Sequence, residues 1–206
     1  MSTVSEAKEG KEVKVVPTAA KVIAVVMVPA VVALNYVGGV IVEVLKLPIW
    51  GDTWATMLGT LISGFWVGAL GGFLYNIVMA LTVWGLPAWV WGTANILIAV
   101  ITWLSIKMKW INLRKPITLI PPFIILGFIY PIYCTALSIA LFGGGPLWKP
   151  IPAAIYSATL ASTGNFWLAN YVQNVSTEIP DKILSFIIAL IIAGRVPEKF
   201  KLVKLK

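Results

Sequence analysis

Residues 65–84 read FWVGALGGFLYNIVMALTVW, twenty consecutive positions without one charged side chain. At 1.5 Å rise per residue, a helix of that length is about 30 Å long, which is the thickness of a bilayer's hydrocarbon core. Such a segment has no face that water would solvate, so it reads as a membrane span. Further apolar runs lie on either side, at Ala19 to Tyr36, Trp89 to Ile106 and Ile117 to Phe142. Hydrophobic residues make up 59% of the 206, and charged residues only 12%. Soluble chains carry about 25% charge, so this chain cannot cover a water-facing surface and belongs in lipid. The fold class that follows is an all-α integral membrane protein.

The spans are bounded by turn chemistry. Gly38-Gly39 are expected to break the first span, and the β-branched stretch Val40 to Leu47 suggests an extended loop or short hairpin. Pro48, Gly51 and Asp52 mark the turn out of it. Asp52-Thr53 then suits the N-cap of a short second span, Thr53 to Ser63. Gly64, Gly68, Gly71 and Gly72 form a small-residue ladder that lets helix backbones approach closely. Pro121 and Pro122 open the fifth span, and Pro131 inside it predicts a kink. Gly143-Gly144-Gly145-Pro146 ends that span. The polar stretch Pro150 to Val175 is read as a long outer loop, partly helical and partly embedded, before a final span from Ser176 to Arg195.

The net charge of +8 is distributed as topology information. Lys8, Lys11, Lys14 and Lys21 flank the first span; Lys107, Lys109, Arg114 and Lys115 occupy one interior loop; Arg195, Lys199, Lys201, Lys204 and Lys206 close the chain. Cytoplasmic loops are enriched in Lys and Arg. Six transmembrane helices with both termini cytoplasmic put all three clusters on one side, leaving Lys46, Lys149 and Lys182 for the outer side. Residues 1–18 are then a cytoplasmic tail without the apolar core of a signal peptide, 19–195 the membrane domain and 196–206 a basic cytoplasmic tail. The plasma membrane is the expected location. No basic face extends beyond the loops, so nucleic acid is not an expected partner.

Motif chemistry is sparse. There is no histidine, Cys134 is the one cysteine, and no GxxxxGK[ST], CxxC, HExxH or GxSxG pattern occurs. Catalysis, a cofactor and nucleotide binding are therefore not expected of this chain. The informative residues are aromatic and polar ones near the outer side: Trp50, Asp52, Trp54, Trp84, Trp89, Trp91, Trp148 and Trp167, with Glu43, Asn76, Asn95, Asn165, Asn170 and Asn174. Each Trp alone fits an interfacial belt, and each Asn alone fits an interhelical hydrogen bond. Together, aromatic walls with a few polar anchors suit a flat heterocyclic ligand, and Trp beside Asp52 or Glu43 favours a cationic, thiamine-like one.

Three stretches carry a family resemblance: Leu47 to Thr53 (LPIWGDT), Gly64 to Gly72 (GFWVGALGG) followed by Asn76, and Ile179 to Ile183 (IPDKI) before the closing Arg195 to Lys199 (RVPEK). In this order the chain from residue 19 onward resembles the substrate-binding (S) components of energy-coupling factor transporters. The resemblance implies an S-component-like helix bundle that binds a vitamin or related micronutrient tightly. It also implies partners: a transmembrane coupling protein (T component) and two cytoplasmic ATPases. By region it points to Trp50, Asp52, Trp84, Trp89, Asn95, Tyr133, Asn165, Trp167 and Asn170 as ligand contacts. The family's Ala-x-x-x-Ala partner contact on helix one matches Ala20 and Ala24 here. Two other classes compete. A secondary carrier or channel predicts carboxylates near the bilayer midplane, whereas the acids here cluster in outer loops. A structural subunit of a larger complex would bind no ligand.

Overall fold

The structure, a computed structural model, describes residues 18–112 and 115–203, and among them it is helical with no strand. The expected tail 1–18, apart from Thr18, and Arg114, Lys204 and Lys206 of the basic clusters lie outside the described residues. Seven helices follow in order. They are α1 (Thr18–Leu45), α2 (Trp54–Ser63), α3 (Phe65–Trp84), α4 (Leu86–Lys107), α5 (Pro116–Phe142), α6 (Pro150–Thr163) and α7 (Phe166–Arg195). Four of them, α1, α3, α4 and α5, are long and apolar enough to cross a membrane. Their outward residues are what lipid would solvate: Val25 on α1 is 75% exposed and Trp66 on α3 is 79% exposed.

Two departures from the sequence reading concern helix ends. Gly38-Gly39 do not break α1, which continues through the stretch expected to be extended. Their glycines serve close approach instead. A Cβ on Gly38 would lie 2.1 Å from the Gly51 carbonyl oxygen, so the loop after α1 folds back directly against the helix. At the other end of the chain, Pro150 to Val175 is not a loop. It forms α6 and the first turns of α7, joined at Gly164-Asn165, and α7 starts ten residues before the expected Ser176. Asn165 accepts a hydrogen bond from the Leu168 N–H, a side-chain cap that starts the helix early.

The small-residue ladder of α3 is used for tight packing. Cβ atoms on Gly68 and Gly72 would sit 2.0 and 2.5 Å from the hydroxyls of Thr60 and Thr56, and one on Gly71 would sit 2.7 Å from Val31. Helix α3 thus lies against α1 and α2 at backbone contact. α2 is the centre of the bundle: Ala55 to Ser63 are all buried, and it packs on α1, α3, α4 and α7. Its ten residues make about 15 Å, half a hydrocarbon core. The Asp52-Thr53 cap is placed as expected, yet the Thr53 hydroxyl faces Ser185 on α7 rather than capping α2. In α5, a π turn at Ile125–Ile129 precedes Tyr130-Pro131. Proline donates no hydrogen bond and its ring crowds the carbonyl four residues back, so the wider turn accommodates it where the kink was expected.

Along α2, α4, α5 and α7 the apolar core is offset from the buried amide and charged side chains, with the hydroxyls of Thr60, Ser63, Thr102 and Ser105 alone among buried polar groups toward its end. Leu61, Ile98, Ile101, Leu126, Phe186, Leu190 and Ala193 form a buried apolar core toward the ends of these helices that carry Ser63, Lys107, Pro116 and Arg195. The N–H groups of Leu202 and Val203 close that end by donating to the Ile62 carbonyl. Toward the opposite end α3, α4 and α7 carry buried amide and charged side chains, and there the bundle is hollow.

Candidate functional site: an aromatic cavity over a buried ionic cluster

The hollow is a cavity of about 430 Å³. Its roof is two loops. Residues 46–53 are held to α7 by Asp181, whose Oδ1 accepts from the N–H groups of Trp50 (3.2 Å) and Gly51 (2.7 Å). Residues 143–149 are held to α7 by Asn170, which accepts from the Gly145 N–H, and by Gln173, which accepts from the Leu147 N–H. The Lys149 ammonium joins the loops. It donates to the Ile49 carbonyl and lies 4.3 Å from the ring centre of Trp50 and 4.9 Å from that of Trp148. Lys149 is 1% exposed. Burial pushes its ammonium below the usual lysine range, opposed by Glu43 and Asp52.

The walls are aromatic: Trp50, Trp84, Trp91, Trp148, Tyr130 and Phe142. Trp84 is fixed by donating from Nε1 to the Glu43 carboxylate, and Trp91 stacks on Phe142 at 5.8 Å. Amides supply the polar side. Asn95 accepts from Thr56, which accepts from Asn35, a chain running from α4 through α2 to α1. Asn76 donates to its own helix at Gly72, leaving its buried Oδ1 without a donor. Asn174 donates to Thr135 across the α5–α7 seam.

The floor is ionic. Lys182 on α7 is 1% exposed, bonds Asp181 Oδ2 at 2.6 Å and faces Glu178 Oε2 at 2.9 Å, an ion pair outside hydrogen-bond alignment. Its ammonium also lies 5.3 Å from the Tyr130 ring centre. Glu178 and Lys182 stand four apart on one helix face, which brings them together. Asp52, at the base of the first loop, lines the cavity beside them, and burial raises its carboxyl to about 6 although Lys182 opposes the shift. The expectation that the acids cluster in outer loops therefore needs correcting: Glu178 and Asp181 are buried inside a helix of the bundle.

Of the nine site residues expected from sequence, Trp50, Asp52, Trp84 and Asn95 line the cavity. Asn170 does not line it but fixes its roof. Tyr133 bonds Thr93 beside it, and Asn165 caps α7. Trp89 packs edge-on to Phe73, Trp167 stacks on Tyr171, and both rings are more than two-fifths exposed. Ala20 is fully covered by this chain and Ala24 half-buried, so the Ala-x-x-x-Ala spacing does not lie on the exposed face of α1, which carries Val22, Val25 and Val26. Sequence reasoning missed Lys149, Glu178 and Lys182. The spacing of Glu178 and Lys182, four apart on one helix, was the available clue. Among the described residues, no group of three or more acidic or cysteine side chains is arranged to hold a metal ion. Comparison with protein-family models, curated proteins and solved structures gives no match to this chain.

Proposed function

We propose that this chain is the substrate-binding and translocating subunit of an ATP-driven energy-coupling factor importer for a vitamin or related micronutrient. The observation that carries the reading is the aromatic cavity under two mutually latched loops. Its volume falls within the range of about 300–1,000 Å³ typical of small-molecule sites. Loops latched to one another by a flexible lysine side chain can part and close over a ligand. The chain has no nucleotide-binding motif, so the work would come from a T component and two cytoplasmic ATPases, and this subunit would perform no chemistry.

A six-span arrangement in the cell membrane, with both termini cytoplasmic, is part of the proposal. The Glu43–Trp84 and Ile49–Lys149 contacts support it by joining helix ends and loops at one end of the bundle, and the Ile62–Val203 contact joins α2 to the C-terminal segment at the other. In that arrangement α2 and α7 are the remaining two spans, with the short α2 enclosed by its neighbours and the loop above it.

Purification of the chain from its native membrane tests this directly. The expected result is copurification of a membrane coupling protein and two ATPases, with vitamin uptake in proteoliposomes that requires ATP. A second reading, a secondary carrier, is favoured by the buried Glu178–Lys182–Asp181 cluster, because ionisable groups at membrane depth often serve ion coupling. It predicts uptake by the chain alone, driven by a proton or sodium gradient and indifferent to ATP.

A further inference from the structure

We propose that the cavity takes a flat organic cation, which competes with the Lys149 ammonium for the faces of Trp50 and Trp148. The inference rests on the binding reading above and names the class of ligand for that same site.

Three independent observations carry it. The first is charge. Asp52 and Glu178 line the cavity, with Asp181 and Glu43 directly behind it. Among the described residues Lys182 is the one cation lining the cavity, and its ammonium is committed to Glu178 and Asp181. Asp52 also lines the cavity, and among the described residues it has no ion-pair partner within 4.0 Å. The second is the amide of Asn76. It is fully buried, its nitrogen is bound to Gly72, and its Oδ1 receives no donor. A buried acceptor in that state costs free energy until a donor arrives. Asp52 and Asn76 thus ask for the same thing, a ligand that brings N–H groups and positive charge.

The third observation is that the structure already holds a cation in an aromatic box. Lys149 Nζ lies within 5 Å of the ring centres of both Trp50 and Trp148, and both rings line the cavity. Stacking a cation over Trp is favourable and more so when water is excluded. Lys149 is tethered through a flexible four-carbon stem to a loop whose Gly143, Gly144 and Gly145 all have positive φ, so it can withdraw without unfolding a helix. Withdrawal breaks its bond to Ile49, the link between the two loops. Arrival of the ligand's cation and release of the roof are then one event. A neutral flat ligand would gain the aromatic contacts alone. An anion would meet Asp52 and Glu178.

Three isosteric probes separate these cases: benzamidinium, benzamide and benzoate, titrated against the Trp fluorescence of the full chain in detergent. The expected order is benzamidinium at least about tenfold tighter than benzamide, which corresponds to about 1.4 kcal/mol, with no saturable quenching by benzoate. Asp52→Asn should remove that preference. Lys149→Met, which deletes the tethered competitor, should tighten benzamidinium severalfold and leave benzamide unchanged. Circular dichroism confirms folding of each variant. Benzamide or benzoate binding as tightly as benzamidinium overturns the cation assignment while leaving a small-molecule site in place. Unchanged benzamidinium affinity in Lys149→Met overturns the role given to Lys149. Absence of quenching by all three, together with absence of quenching by any vitamin, removes the binding reading itself.

Discussion

The two ends of the bundle share α4, α5 and α7 and differ in almost every other respect. At the end carrying Ser63, Lys107 and Arg195, α2, α4, α5 and α7 contribute Leu61, Ile98, Leu126 and Phe186 to a buried apolar core. At the opposite end α3, α4, α5 and α7, with the loop before α2, contribute Asn76, Asn95, Tyr130, Lys182 and Asp52 to a cavity. The transition on α7 takes one turn: Lys182 and Phe186, four apart, are each 1% exposed or less, one among charges and one among rings and aliphatics. Close packing at one end supplies the rigidity that lets the other end stay hollow. Burial at the hollow end also keeps charges close to one another in a medium where an unmatched one is costly.

If that division holds, the largest effect comes from breaking the ionic floor. Lys182→Met leaves Glu178 and Asp181 buried without their cation and should cost about 3–5 kcal/mol. Denaturant unfolding in detergent measures it, and adding Glu178→Gln should recover part of the loss. In the dry end, Leu61→Ala opens a cavity in a fully buried site and should cost about 2–5 kcal/mol. Unlike Lys182→Met, it should leave ligand affinity unchanged, because Leu61 lies away from the cavity. A Leu61→Ala variant that unfolds at no cost would show that this end is not close-packed.

A smaller and more discriminating effect concerns pH. The Asp52 carboxyl stands at about 6 in the folded chain against an ordinary value of 3.8, so between those values the folded state binds the extra proton. Stability from this group is therefore present below about pH 4 and is lost as pH rises through 6. Asp52→Asn should flatten that part of the stability profile and stabilise the chain at pH 7. Its effect on binding of a cation runs the other way, since ionised Asp52 is the form that attracts it. Affinity for benzamidinium should fall as pH drops below about 6 in the wild-type chain, and Asp52→Asn should reduce that fall.

The dry end was more readable from sequence than the hollow one, for a physical reason. An apolar span such as residues 65–84 and the glycine spacing within it are local patterns, and α3 and its contacts with Thr56, Thr60 and Val31 follow from them. Cavity residues such as Trp50, Trp84, Trp148 and Lys182 come from distant parts of the chain and share no period. Trp50 and Trp84 were found because aromatic and acidic residues crowd the expected outer rim. Trp89 and Trp167 satisfied the same criterion, yet both rings are well exposed. Lys149 was passed over because a lone lysine in a loop normally faces water, whereas here a loop folds over it. The extent of α1 was misread because Gly38-Gly39 signal either a helix break or a close approach, and only the position of Gly51 decides which.

The most direct test of the account is to learn which tryptophans report ligand binding. Trp50→Phe, Trp84→Phe, Trp89→Phe and Trp167→Phe chains would be titrated with the vitamin or vitamin precursor that quenches the wild-type protein. Trp50→Phe and Trp84→Phe should each lose part of the quenching and weaken binding, while Trp89→Phe and Trp167→Phe keep both. Quenching that survives loss of Trp50 and Trp84 but disappears with Trp89 or Trp167 would place the ligand on the outer surface and contradict the cavity as its site.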